Sequence, residues 1–357
     1  MNKETLFHDA LDLLKKLISI PSFSKEEDKS AEIIATFLKG HNVTVEQVGH
    51  NVLAKNLHFD PSLPTLLLNS HHDTVKPNQS YTLDPFSPIE MDGKLYGLGS
   101  NDAGGALVSL VVSFLNFYHR SNLGYNVVLA ATAEEEISGT NGIELALKHL
   151  PQISCAIVGE PTKMDLAVAE RGLLVVDATA KGKSGHAARD EGENAIHKAI
   201  QDIQWLNSFV FPKQSKLLGP VKTTVTVMET ENKAHNVIPD SCRFVIDIRV
   251  NEQYSFEEIL QELQKNLLSE IKPRSYRLRS TMIPLDHPLV KTGIELGRKV
   301  YGSPTTSDKA LMPFPVLKMG PGDSARSHTA DEFILVEEIR EGINLYIELV
   351  NQLVSKN

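Results

Sequence analysis

The sequence predicts an α/β protein in which a mixed, mostly parallel sheet is flanked by helices and a smaller α+β unit is inserted. In the first half of the chain, short apolar runs end in polar residues and alternate with helical patterns. Continuous apolar runs of this kind are typical of strands buried on both faces of a parallel sheet. From about residue 173 to 284 apolar and polar residues alternate instead, which is typical of strands with one buried face.

Two helices are predicted at the start of the chain. Leu6, Ala10, Leu13 and Leu17 recur at three- and four-residue intervals, which predicts an amphipathic helix that ends before Pro21. A second helix is predicted from about residue 25 to 39, with Gly40 as its stop.

Three apolar runs predict the central strands of the large sheet. They cover residues 65–68, 127–131 and 155–158, and a helix is predicted over residues 103–118 between the first two. Each run is followed at once by acidic or histidine residues. Because ligands of such sheets bind beyond the carboxyl ends of the strands, this edge is the predicted functional site.

The inserted unit has its own order of elements. The predicted elements begin with a strand at 174–180 and a helix at 193–207, followed by two strands of alternating pattern at 223–227 and 244–248. A second amphipathic helix is predicted at 256–267 and a final strand at 275–282. This β-α-β-β-α-β order is that of a ferredoxin-like unit. After Pro284 the α/β pattern returns, with a strand at 316–319 and a closing helix at 336–350. We therefore expect a discontinuous α/β domain, 1–172 and 285–357, and an inserted domain, 173–284.

Composition limits the classes of partner. The 357 residues suggest about two domains, and 36 Lys and Arg against 45 Asp and Glu give a net charge of −9 without a basic run. Nucleic acid and membrane are therefore not expected as partners. Cys155 and Cys242 are expected to be buried free thiols. The N-terminus lacks a signal-peptide apolar core, so a cytoplasmic location is expected.

Histidines and acids cluster at the predicted strand ends. They are His71 and Asp73, Asp102, the run Glu134-Glu135-Glu136, Glu160 and His328. Singly, each has a simpler explanation, such as a helix N-cap for Asp102 or a solvated charge run for the glutamates. Together, two imidazoles and several carboxylates suit a pair of Zn²⁺ or similar ions, because closely packed carboxylates repel one another unless cations lie between them. A paired metal site indicates hydrolysis by activated water.

Six segments, in order, resemble the M20 family of co-catalytic zinc aminoacylases and peptidases. They are SHHDTV at 70–75, GLGSNDAGG at 97–105, ATAEEE at 131–136, VGEPT at 158–162, SGHA at 184–187 and SHTADE at 327–332. The nearest resemblance is to the branch of acetylornithine deacetylases and succinyl-diaminopimelate desuccinylases. It implies a zinc-exopeptidase-like catalytic domain and an inserted ferredoxin-like lid and dimerisation domain.

The resemblance also implies the role of each site residue. His71, Asp102 and Glu160 would hold one Zn²⁺, and Asp102 would bridge to a second one held by Glu135 and His328. Co²⁺ or Mn²⁺ are possible substitutes. Asp73 would orient His71. Glu134 would be the general base, because the carboxylate of Glu135 would be bound to metal and that of Glu134 would not.

The inserted unit would contribute three further residues. In the family, a histidine at the position of His186 stabilises the tetrahedral oxyanion, usually across a dimer interface. Asn236 and Arg249 lie in segments that resemble the substrate-carboxylate elements, and the planar guanidinium of Arg249 suits a carboxylate. A homodimer through the lid is therefore expected.

The expected reaction is hydrolysis of an N-acyl-L-amino acid, an N-acetyl or N-succinyl derivative of ornithine or citrulline in arginine biosynthesis. Succinyl-diaminopimelate desuccinylase and di- or tripeptidase activity are the enzymatic alternatives. An inactive hydrolase-like binding protein is disfavoured because every expected ligand is present. A nucleotide-binding protein is disfavoured because the glycine-rich segment lacks a P-loop lysine and places Asp102 where phosphate needs positive charge.

Overall fold

The computed structural model describes residues 2–189 and 191–355. Its α-helices are α1 Lys3–Ile18, α2 Asp28–Gly40, α3 Gly105–Tyr118, α4 Ile143–Leu147, α5 Ala195–Ser208, α6 Phe256–Asn266, α7 Pro288–Glu295 and α8 Val336–Val354. Its strands are β1 Val45–Val48, β2 Asn51–Lys55, β3 Thr65–His71, β4 Ile89–Met91, β5 Lys94–Tyr96, β6 Asn126–Thr132, β7 Cys155–Val158, β8 Leu166–Glu170, β9 Gly172–Lys181, β10 Gly185–His186, β11 Lys222–Glu229, β12 Val237–Ile238, β13 Ser241–Val250, β14 Glu270–Pro273, β15 Thr281–Met282, β16 Val300–Ser303, β17 Val316–Lys318 and β18 Phe333–Leu335.

The chain divides into two compact units. The first comprises Met1–Val168, Ile283–Tyr301 and Ser307–Asn357, and the second comprises Ala169–Met282 and Gly302–Thr306. The roles predicted for the two parts, catalysis and lid or dimerisation, stay predictions.

The first unit is built on a mixed sheet with the strand order β1-β2-β6-β3-β7-β17-β8. Strands β6, β3, β7 and β17 are parallel neighbours, whereas β1, β2 and β8 pair antiparallel with their neighbours. The predicted α/β class, with a mostly parallel central sheet flanked by helices, is confirmed. Every residue of β3 and β6 is buried, as continuous apolar runs in a two-sided sheet require.

Helix α3 is buried along almost its whole length and packs against α1 and α8 and against strands β3 and β6. It begins at Gly105, two residues later than predicted, because residues 100–104 form a separate, kinked turn. The Asp102 backbone is not helical, with φ −116° and ψ 100°. Its side chain is therefore free for a role other than capping α3.

The second unit contains a four-stranded antiparallel sheet in the order β11-β13-β9-β14. Helices α5 and α6 bury their apolar faces in one core with β9 and β13. This is the strand order of the predicted ferredoxin-like unit.

One strand of this unit lies elsewhere than predicted. The place beside β9 is taken by Glu270–Pro273, not by residues 275–282. Ile271 packs against the core of the unit from this strand. The chain then turns, with Ser275 Oγ accepting from the Arg277 N–H at 3.2 Å, and only Thr281–Met282 returns to a strand, paired with Ala169 and Glu170.

Within the described residues, no helix combines the length and apolar character needed to cross a membrane.

Candidate metal centre

Three parallel strands end at one edge of the first unit's sheet. Strand β3 ends at His71, β6 ends beside it at Thr132, and β7 ends at Val158, with Glu160 two residues further on. Parallel neighbours bring the segments that follow them to the same edge. The predicted histidine and acid clusters are therefore gathered by the sheet topology.

His71 presents an unpartnered nitrogen to the acids at this edge. Its Nδ1 lies 2.9 Å from the main-chain oxygen of Asp73, and a proton on Nδ1 leaves a lone pair on Nε2. The buried Nε2 has no hydrogen-bond partner, and it faces Asp102 Oδ1 at 3.4 Å and Glu160 Oε1 at 3.9 Å. A buried imidazole lone pair among carboxylate oxygens fits a divalent cation.

Asp102 lies between two histidines. Its Oδ1 faces His71, and its Oδ2 lies 3.6 Å from His328 Nε2. The same His328 nitrogen is 3.0 Å from Glu136 Oε2. The Glu136 contact raises the pKa of His328 to about 9. A carboxylate that faces a histidine with each oxygen suits a bridge between two ions.

The described residues contain two groups whose ligand atoms lie within 4.8 Å of one another. They are His71, Asp102 and Glu136, and His71, Glu135 and Glu160. Burial, together with Glu160, Asp308 and Glu136, raises the pKa of Glu135 well above its ordinary value. Burial lowers the pKa of His71, but Asp102, Asp73 and the other acids raise it well above its ordinary value. Such crowding of acids is relieved by bound cations.

Glu134, whose role as general base stays a prediction, makes its side-chain hydrogen bonds to Asn141. Its carboxylate accepts from the Asn141 side chain at 2.9 Å and from the Asn141 N–H at 3.3 Å. It also lies over Gly139, where a Cβ would be 2.0 Å from Glu134 Oε2. Glu134 has a φ of +55°. Its carboxylate is therefore engaged within its own loop.

Glu135 and Glu136 both lie close to the histidines of this edge, and the metal role predicted for Glu135 stays a prediction. Glu136, not Glu135, contacts His328, and Glu135 groups with His71 and Glu160. Sequence reasoning passed over Glu136 because three consecutive glutamates carry no internal signal of direction. The positive φ of Glu134 belongs to the backbone of this loop, and residue type does not reveal it.

Asp73 lies beside His71 as predicted by the resemblance, but its main contacts are to a loop. Its carboxylate is 3.5 Å from His71 Nδ1. It accepts from the backbone N–H groups of Glu135 and Glu136 at 3.0 and 3.1 Å, and from Ser24 Oγ at 2.7 Å. One carboxylate thus supports both the imidazole and the glutamate loop.

Glu332, which the resemblance motif contains without a role, holds the segment that supplies Asp102. The backbone N–H groups of Gly99, Asn101 and Asp102 donate to its carboxylate at 3.2, 2.9 and 2.9 Å. Burial raises the pKa of Glu332 to about 8. This contact supplies acceptors for the non-helical turn, which lacks the hydrogen bonds of a regular helix start.

The remaining predicted residues belong to the second unit. His186 lies in β10, which pairs with β12, and Asn236 precedes β12 with its main-chain oxygen 2.9 Å from the Ala187 N–H. Both are exposed. Arg249 is engaged by Asp247, with Nε to Oδ1 at 2.8 Å and Nη2 to Oδ2 at 3.1 Å. His186 and Asn236 thus share one ribbon, and Arg249 lies on the main sheet of the unit.

The chain matches known proteins in sequence over most of its length. The sequence-family model described as Peptidase family M20/M25/M40 matches residues 67–352. The chain is 26% identical to a succinyl-diaminopimelate desuccinylase of Wolbachia pipientis, covering 96% of this chain and 92% of the relative. It is 29% identical to an acetylornithine deacetylase of Proteus mirabilis, covering 95% of this chain and 96% of the relative.

Solved structures share the fold over nearly the whole chain. Aminopeptidase PepT of Bacillus cereus matches with a TM-score of 0.77 and 18% identity, covering 99% of each chain. The YXEP protein of Bacillus subtilis, a dinuclear metal-binding peptidase, matches with a TM-score of 0.75 and 17% identity, covering 99% of this chain and 100% of the other. The family match spans both units, and the chain is a hydrolase that belongs to Peptidase family M20/M25/M40.

Proposed function

We propose that the protein is a metal-dependent amidohydrolase that releases a free amino acid from an N-acyl-L-amino acid. The observation that carries this proposal is the position of Asp102, whose two oxygens face His71 and His328. Two ion sites that share a carboxylate suit amide hydrolysis by water. The named relatives, a desuccinylase and a deacetylase, both remove an acyl group from an amino acid derivative.

The donor set suits two Zn²⁺ ions, with Co²⁺ or Mn²⁺ as possible substitutes. His71, Asp102 and Glu160 would hold one ion. Asp102, Glu136 and His328 would hold the other, which replaces Glu135 by Glu136 in the ligand set expected from sequence. When bound, such ions polarise a carbonyl oxygen and make water more acidic.

Glu135 is then the proposed general base, in place of Glu134. It stands beside the His71 group, and its raised pKa suits a carboxylate that takes a proton and returns it. It removes a proton from the attacking water and delivers it to the nitrogen of the leaving amine. Asp73 keeps the Nδ1 side of His71 occupied, so that Nε2 stays directed at the site.

Three residues of the second unit complete the proposal by resemblance. His186 would donate to the oxygen of the tetrahedral species, and Asn236 and Arg249 would bind the α-carboxylate of the substrate. Arg249 would have to share or exchange its Asp247 partner. A substrate carboxylate would therefore compete with Asp247 for the Arg249 guanidinium.

A homodimer through the second unit is also proposed. Strand β11 is an edge strand of its sheet, and its side chains Val227 and Met228 are 44% and 43% exposed. An unpaired edge with exposed apolar side chains is a site for pairing with a second copy. Sedimentation at increasing protein concentration tests this, and a charged substitution at Val227 should favour the monomer.

The proposed substrates are N-acetyl or N-succinyl derivatives of ornithine and citrulline, which would place the enzyme in arginine biosynthesis within the cytoplasm. The desuccinylase relatives support succinyl-diaminopimelate as the alternative. A di- or tripeptidase is a further one, since the structural neighbour PepT is an aminopeptidase.

A competition assay tests these choices. The Zn²⁺-loaded protein is given equimolar acetyl and succinyl derivatives of ornithine, citrulline and diaminopimelate, together with a dipeptide and a tripeptide. Release of the free amino acid is followed for each, and protein treated with a chelator serves as the control. Preference for an ornithine or citrulline derivative supports the proposal, whereas preference for a peptide or for no member of the panel contradicts it.

A further inference from the structure

The loop that carries Glu135 and Glu136 is held through its backbone. Four consecutive N–H groups donate to three side chains that come from separate elements. The pairs are Ala133 to Asn51 Oδ1 at 3.1 Å, Glu134 to Glu27 Oε1 at 3.0 Å, and Glu135 and Glu136 to the two oxygens of Asp73 at 3.0 and 3.1 Å. Asn51, Glu27 and Asp73 are all buried. The direction of the two glutamate side chains therefore depends on these acceptors.

Glu27 is the acidic member of this set that no motif or role has so far included. It precedes α2 and is fully buried. Its Oε1 also accepts from the Lys25 N–H at 2.8 Å, and its Oε2 lies 2.6 Å from His50 Nδ1. The His50 side chain is 32% exposed, and its other nitrogen lies 3.4 Å from Asp28. A buried acid needs such partners, because an unpaired one is costly.

We propose that Glu27, held by His50, is a positioning residue that directs the carboxylates of Glu135 and Glu136 into the candidate metal centre. This inference rests on the roles assigned to Glu135 and Glu136 in the proposed function. Glu27 touches neither substrate nor ion. It acts through the backbone of residue 134, which lies one residue before Glu135 and two before Glu136.

Small displacements of this loop have large consequences. Glu136 meets His328 at 3.0 Å, and a ligand or base must be held within a few tenths of an ångström of its working position. Removing a group that supports a metal ligand typically costs 10–100-fold in metal affinity or activity. We expect loss of Glu27 to weaken the ion held by Glu136 and to slow the proton transfer by Glu135.

The second unit offers a matched control. Asp202 is also a buried acid, and it accepts from the backbone N–H groups of Leu268 and Ser269 at 2.8 and 2.9 Å. It thus supports backbone in the same manner, but of a segment to which the proposed mechanism assigns no role. Substitution of Asp202 should lower thermal stability without changing metal affinity or kcat.

The experiment compares Glu27→Ala, Glu27→Gln, His50→Ala and Asp202→Ala with the wild-type protein. Co²⁺ is titrated by calorimetry and by its visible absorption, and kcat, KM and Tm are measured at saturating Co²⁺. For Glu27→Ala we expect one of the two Co²⁺ affinities and kcat each to fall roughly 10–100-fold, with KM within about twofold because KM reports the remaining contacts. Glu27→Gln should lie closer to wild type, since an amide oxygen can still accept from the Glu134 N–H.

The outcomes separate this inference from the proposed function. Wild-type kcat and both wild-type Co²⁺ affinities in Glu27→Ala would overturn it, even if Tm fell as in Asp202→Ala. If Glu27→Ala does not fold, His50→Ala is judged by the same readouts, and wild-type kcat and Co²⁺ affinities in that variant would overturn the inference. If the wild type hydrolyses no N-acyl amino acid, the proposed function fails, and the inference is judged on the Co²⁺ titration alone.

Discussion

The two compact units deal with charge in opposite ways. On the sheet of the second unit, arginines pair with carboxylates at 2.8 Å, in Arg243–Glu229, Arg249–Asp247 and Arg274–Asp177. At the sheet edge of the first unit, the carboxylates of Asp102, Glu135, Glu136 and Glu160 gather around His71 and His328. Charges of the first kind cancel within the chain. Those of the second kind need cations from outside it.

The pKa values follow the same division. Arg274 lowers the pKa of Asp177, whereas burial and neighbouring acids raise the pKa of Glu135 well above its ordinary value. Perturbation by burial and like charge in a cluster of metal-binding residue types indicates a functional site. Perturbation by a single exposed partner indicates an ordinary surface pair.

The largest effect is expected at the proposed base. Glu135→Ala should lower kcat about 10²–10⁴-fold, because proton transfer is lost, while both ions remain bound. Metal content by elemental analysis and steady-state kinetics check this. Glu134→Gln is the control and should keep most activity, since its amide can still pair with Asn141. If Glu134→Gln were inactive and Glu135→Ala active, the sequence-based assignment of Glu134 as the base would stand.

His186→Ala should lower kcat about 10²–10³-fold, as loss of an oxyanion donor does, with unchanged metal content. His197→Ala is a matched control, since His197 is an exposed histidine on α5 of the same unit. Measurement of kcat for the two variants at saturating metal tests this prediction. A near-wild-type kcat for His186→Ala would exclude His186 from the mechanism.

The pH dependence of stability should expose the buried acid Asp308, to which Thr132 Oγ1 donates at 2.8 Å. Burial raises its pKa from 3.8 to about 7. The folded state therefore favours the protonated carboxyl, and its contribution, complete below about pH 4, is lost as the pH rises through 7. Asp308→Asn cannot titrate. In chelated protein, the Tm of wild type minus that of Asp308→Asn should fall across this range, and a constant difference would contradict the assignment.

The smallest effect is expected on the second unit's sheet. Arg243→Ala breaks a pair whose side chains are 54% and 55% exposed, so the free energy of unfolding should change by less than about 1 kcal/mol. Denaturant unfolding measures this change, and a loss of several kcal/mol would show that the surface pairs are more than local charge compensation.

Much of the fold was predictable because its signals are local. Apolar runs followed by polar residues predicted β3, β6 and β7, and three-to-four-residue spacing predicted α1 and α8. The last strand of the second unit was misplaced because residues 275–282 and 270–273 compete for one position beside β9. Packing of Ile271 into the core, which is a long-range contact, favours the second segment.

The candidate site shows where local reasoning stops. The chain order of histidines and acids predicted a cluster at one sheet edge, because strand ends of a parallel sheet meet there, and the family resemblance named His71, Asp102, Glu160 and His328 among its ligands. The choice among Glu134, Glu135 and Glu136 cannot be made from chain order, since three identical side chains differ only in the direction their backbone gives them. That direction comes from acceptors supplied by distant segments, Glu27 and Asp73 among them. The sequence determines residue types and their order. The direction of a side chain depends in addition on hydrogen bonds that form only when the chain is folded.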